Sequence, residues 1–78
     1  MRVILLGRLA DLGGADQLGI PGPLDWAALL TALPSGLAEE VSGDRVKIAL
    51  DGVVLAEKAS LHAPDGAEVA LLPPVSGG

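Results

Sequence analysis

The chain opens on MRVILLG, an apolar run in which Val3 and Leu5 point one way along a strand and Ile4 and Leu6 the other. Apolar residues on both faces suit a central strand rather than an edge. Residues 8–14, RLADLGG, read as a helical turn or loop broken by Gly13-Gly14. Residues 15–20 read as a second strand paired with the first and ended by Pro21-Gly22-Pro23. The clearest helix follows, because Trp26, Leu29, Leu30 and Leu33 fall at i, i+3, i+4 and i+7 on one apolar stripe. Pro23 is expected near its first position and Asp25 in its first turn, at the positive end of the dipole. Pro34-Ser35-Gly36 is expected to stop it, with a shorter turn over 37–41. Alternation returns in VKIALDGVVL: Val46, Ile48 and Leu50 share one face, Lys47 and Ala49 the other. Asp51-Gly52 signals a tight turn into a short return strand over 53–55. Residues 61–66 read as loop, with Asp65-Gly66 as a further turn, and 67–72 as the last strand.

The stripe of the helix needs a sheet to bury it. The expected arrangement is α+β: a mixed sheet curled around one main helix, with the first and last strands, the most apolar, side by side in its centre. This is the ubiquitin-like β-grasp, here as a domain over 1–72 and an extended tail over 73–78. With Val3, Leu5, Ile48, Val69 and Leu71 toward the helix, Ile4, Leu6, Ala49, Ala70 and Leu72 face outward. They form an apolar strip beside the tail, of the kind that marks docking surfaces.

Composition narrows the function. A chain of 78 residues makes one domain. It has no cysteine, which excludes disulfides, cysteine-ligated zinc and thiol catalysis. With a formal net charge of -5 and only five scattered basic residues, nucleic-acid binding is not expected. No leader and no apolar stretch long enough to span a bilayer is visible, so no membrane association is expected and the cytoplasm is the expected compartment. His62 is expected as a solvated loop residue without a nucleophile or metal-ligand partner, Trp26 as core and Glu39-Glu40 as a solvated helix face. A stand-alone enzyme is not expected, nor a permanently bound cofactor or metal.

The chemistry lies in the ending, LLPPVSGG. Pro73 and Pro74 have no N–H, so they end the strand ladder and launch the chain outward. Six residues at full extension reach ~20 Å. Ser76 is small, and Gly77 and Gly78 have no side chains, so the tip fits a narrow channel. The Gly78 α-carboxylate, with an ordinary pKa of about 3.3–3.7, is ionised at neutral pH. It can attack the α-phosphate of ATP to give an acyl-adenylate, from which a sulfur donor displaces AMP and leaves a thiocarboxylate. With no cysteine in the chain, covalent sulfur would be carried there. A terminal Gly-Gly says little alone in a chain with 11 glycines. After Pro-Pro and an apolar final strand it says much more.

LLPPVSGG resembles the C-terminal signature of the MoaD family, the small subunit of molybdopterin synthase. The resemblance covers nearly the whole chain: the opening strand with GRLADLGG, the helix PLDWAALLTAL, the strand and turn IALDGVVL, and most closely APDGAEVALLPPVSGG. Leu5, Leu6, Leu71 and Leu72 stand where that family often has aromatics, and Asp51 where asparagine is common. The resemblance implies a sulfur carrier in molybdenum cofactor biosynthesis. A ubiquitin-activating-type adenylyltransferase, using ATP, would adenylate Gly78, and a sulfur-relay protein would supply the sulfur. The segment Pro73, Pro74, Val75, Ser76 and Gly77 would then enter the large subunit, where the sulfur goes to cyclic pyranopterin monophosphate. The family's small and large subunits form a heterotetramer. Two alternatives share the acyl-adenylate: sulfur delivery for thiamine synthesis, whose carriers usually lack the Pro-Pro-Val-Ser run, and a ubiquitin-like modifier joined to lysine through Gly78. A passive interaction domain is a third.

Overall fold

The computed structural model describes residues 1–74. Its main sheet has five strands: β1 (Arg2–Leu5), β2 (Gln17–Gly19), β4 (Lys47–Leu50), β5 (Val53–Val54) and β7 (Glu68–Leu72), in the order β2-β1-β7-β4-β5. β1 and β7 lie parallel at the centre, in register from Arg2↔Glu68 to Leu5↔Leu71, and their neighbours run antiparallel to them. This is the mixed β-grasp sheet expected from the pattern.

One face of the sheet is covered by α1 (Arg8–Gly13), α2 (Trp26–Ala32) and α3 (Ser35–Ser42). Val3, Leu5, Ile48, Val69 and Leu71 point inward and are fully or almost fully buried, against Leu9, Leu29, Leu37 and Val41 of the helices. Each fully buried leucine contributes roughly 1.5–3 kcal/mol, so an aliphatic core suffices where aromatics are missing. At Gly13 an added Cβ would run into the Leu5 side chain, so α1 approaches β1 as closely as it does because that position is glycine.

The helical segment departs from expectation. Instead of one main helix and a short turn, it forms two helices joined at Pro34. Leu33 takes an extended ψ of 150°, because the proline ring disfavours helical geometry in the residue before it. Pro34 ends α2, yet Ser35 and Gly36, expected to stop the helix, open α3, and the Pro34 carbonyl accepts from the Ala38 N–H at 2.8 Å. Pro23 is not at the first position of α2: it follows a cis peptide bond and precedes β3 (Leu24–Asp25). Asp25 is the N-cap rather than a first-turn residue, and its Oδ1 accepts from the Ala28 N–H at 2.8 Å. The 61–66 loop contains β6 (His62–Ala63), which pairs with β3 as a separate two-stranded sheet. His62 is therefore an exposed strand residue opposite Asp25.

The Asp51-Gly52 turn forms as expected. Both residues have positive φ, 48° and 87°, as a two-residue hairpin turn requires. Asp51 also ties the hairpin to β7: its N–H donates to the Glu68 carbonyl at 2.8 Å and its Oδ1 accepts from the Glu68 N–H at 2.9 Å. Among the described residues, no helix is long and apolar enough to cross a membrane.

Candidate functional site: the outer sheet face and the tail root

The strand registers arrange the uncovered face of the sheet in rows. Ile4 lies opposite Ala70, Ala70 opposite Ala49, and Ala49 opposite Val54, so four strands contribute one apolar row. On the side where β7 ends, Leu72 lies opposite Lys47, and Leu6 follows β1 on the same face by alternation. On the other side, Arg2 lies opposite Glu68 and pairs with it at 2.7 Å. The row continues onto β2, where Gln17 lies opposite Ile4.

Each residue of the expected strip lies on this face, with unequal exposure. Leu6 is 43% exposed, Ile4, Ala70 and Leu72 are half-buried, and Ala49 is only 7% exposed because its methyl group is flanked by the neighbouring strands. Ala49 is thus the floor of the strip, not an exposed contact. Val54, not on the expected strip, is 55% exposed at the edge of the same row. A two-residue strand shows no alternation from which its face could be read.

The tail leaves β7 beside the loop that follows β1. Pro73 is half-buried and Pro74 exposed. Gly7 has a φ of +54°, and a Cβ built on it would stand 3.4 Å from Pro73 Cγ. The positive φ is what favours glycine at this turn into α1; a Cβ there would make ordinary contact with Pro73. Val75, Ser76, Gly77 and Gly78, which carry the expected chemistry, lie outside the described residues.

Elsewhere the polar groups serve the fold. Lys58 sits in a short 3-10 turn (Lys58–Ser60) and its Nζ donates to the Val41 carbonyl at 2.7 Å and to that of Gly43, at the end of α3, while lying 5.7 Å from the Trp26 ring centroid. Burial pushes the Lys58 ammonium below the usual lysine range; nearby Asp44 opposes this shift and Lys47 adds to it. Trp26, expected as core, is half-buried against it, and Glu40 reaches Arg8 of α1 at 3.9 Å. Among the described residues no group of three metal-ligating side chains converges.

The model of the ThiS family matches residues 3–78. The chain belongs to this family of ThiS- and MoaD-like sulfur carriers. Among solved structures, SAMP1 from Haloferax volcanii is 30% identical, with 99% of this chain and 97% of that chain covered and a TM-score of 0.68. The small archaeal modifier protein 1 from Methanosarcina acetivorans is 25% identical, with 99% and 94% covered and a TM-score of 0.74. The chain has no match among curated proteins. The family match and these neighbours bear out the ubiquitin-like β-grasp and the resemblance to MoaD-type carriers.

Proposed function

We propose that this sulfur carrier serves molybdopterin synthase, with Gly78 as the residue that holds the sulfur. The reading is supported by the order of the sequence, in which β7 is followed at once by Pro73-Pro74-Val75-Ser76-Gly77-Gly78, a stretch the family match spans to residue 78. The Gly78 carboxylate attacks the α-phosphate of ATP on an adenylyltransferase, and pyrophosphate leaves. A sulfur nucleophile at the sulfide level attacks the acyl carbon and AMP leaves, giving the thiocarboxylate. The large subunit then binds the outer face through Ile4, Leu6, Ala70 and Leu72, with Ala49 beneath them, and receives the tail. The sulfur passes to cyclic pyranopterin monophosphate. The Pro-Pro-Val-Ser run favours this acceptor over the thiamine route. The cytoplasm is the proposed compartment.

A second reading has its own support. Both solved relatives are small archaeal modifier proteins, so Gly78 would be joined to a lysine by an isopeptide bond, with AMP again leaving. One experiment separates the two. The chain is incubated with ATP, a sulfide source and a candidate adenylyltransferase active on another carrier, and its C-terminal peptide is sequenced by mass spectrometry. An oxygen-to-sulfur exchange on Gly78 is expected. An unmodified Gly78, together with Gly78–lysine remnants in cell extracts, would replace the sulfur carrier with the modifier.

A further inference from the structure

The outer face is polarised. Of the five cationic side chains, Arg2 is paired with Glu68 at 2.7 Å, Arg8 reaches Glu40 at 3.9 Å, and Lys58 is turned onto the Val41 and Gly43 carbonyls. Among the described residues, no carboxylate lies in ion-pair range of the remaining two, Arg45 and Lys47. Of these, Lys47 is on a strand of the outer face, exposed, and in register with Leu72, the last residue before the tail. The far end of the face carries Arg2 paired with Glu68, and Asp51 beside Glu68, so it holds two carboxylates to one cation. A chain of net charge -5 therefore presents a single positive point on its apolar strip, at the root of the tail.

We propose that Lys47 is a specificity-determining contact: the protein that receives the tail bears a carboxylate facing Lys47, beside an apolar patch that covers Leu6, Leu72 and Val54. The chemistry follows from the rows. An apolar strip alone, having no charge, does little to fix the direction in which a partner lies across it. One uncompensated cation at one end breaks that degeneracy. A partner that puts an acid opposite Lys47 must put its tail channel on the Leu72 side, where Pro73 emerges. A partner with a basic group there is repelled, and the acidity of the whole chain does not attract it into the correct orientation by itself. Charges at the edge of an interface act mainly on encounter and orientation, so the contact belongs to the association step.

This inference rests on the molybdopterin synthase reading, and its test separates the two. Association and dissociation of the full chain with purified large subunit are measured at low and moderate salt, for the wild type and for Lys47→Arg, Lys47→Gln and Lys47→Glu. Lys47 is exposed, so thermal melts of all four chains should coincide. Lys47→Glu should weaken binding about tenfold at low salt, chiefly through slower association, and flatten the salt dependence; Lys47→Gln should fall between, and Lys47→Arg should match the wild type. Wild-type binding with all three variants within about twofold and an unchanged salt dependence would overturn the inference while the partner reading stands. No binding by the wild type would overturn the partner reading, and the inference with it.

Discussion

At the scale of single residues, Gly7 is where the fold and the tail meet. Its φ of +54° is costly for any residue with a Cβ, even though that Cβ would make only ordinary contact with Pro73. Gly7→Ala should lower stability by about 1–3 kcal/mol, read from urea unfolding, because backbone strain is the dominant cost at such positions. A variant as stable as wild type would mean that the loop relaxes without strain. Asp51 shows a different use of conformation. It accepts a positive φ in a two-residue turn and spends its carboxylate on the Glu68 N–H, so aspartate fills this turn with its side chain hydrogen-bonded.

At the scale of elements, α2 depends on its cap. Asp25 satisfies a helix N–H and opposes the positive end of the dipole, so Asp25→Ala should destabilise the protein by about 1 kcal/mol in the same unfolding assay. A change within experimental error would show that β3 pairing, not the cap, holds the start of α2. The strands, the apolar stripe and the Asp51-Gly52 turn were legible because each follows a period or a turn rule that local chemistry imposes. The split at Pro34 was only half legible: proline forbids continuation, but nothing local says whether the chain restarts a helix. It restarts because Leu37 and Val41, four apart, have a core to fill. β3 and β6 were invisible, since two-residue strands carry no period and are held by a pairing across 39 residues, from Leu24 to Ala63. The strip was legible through alternation, but its floor at Ala49 and its extension to Val54 arise from cross-strand register. So does the placement of Lys47 beside Leu72.

At the scale of the whole molecule, an aliphatic core lies under one sheet face, and the central strand β7 of that sheet ends at Leu72, directly before Pro73. Exposed ion pairs such as Arg2–Glu68 add little stability; with Arg2 so paired and Asp51 beside Glu68, that end of the outer face offers no free cation among the described residues. On the proposed mechanism, sulfur travels on the Gly78 carboxyl carbon. The most direct measurement is transfer of labelled sulfur to cyclic pyranopterin monophosphate by the reconstituted carrier, adenylyltransferase and large subunit, comparing the wild type with a chain extended by one alanine after Gly78. The extended chain should melt as the wild type does and transfer no sulfur. Transfer at the wild-type rate from the extended chain would contradict the claim.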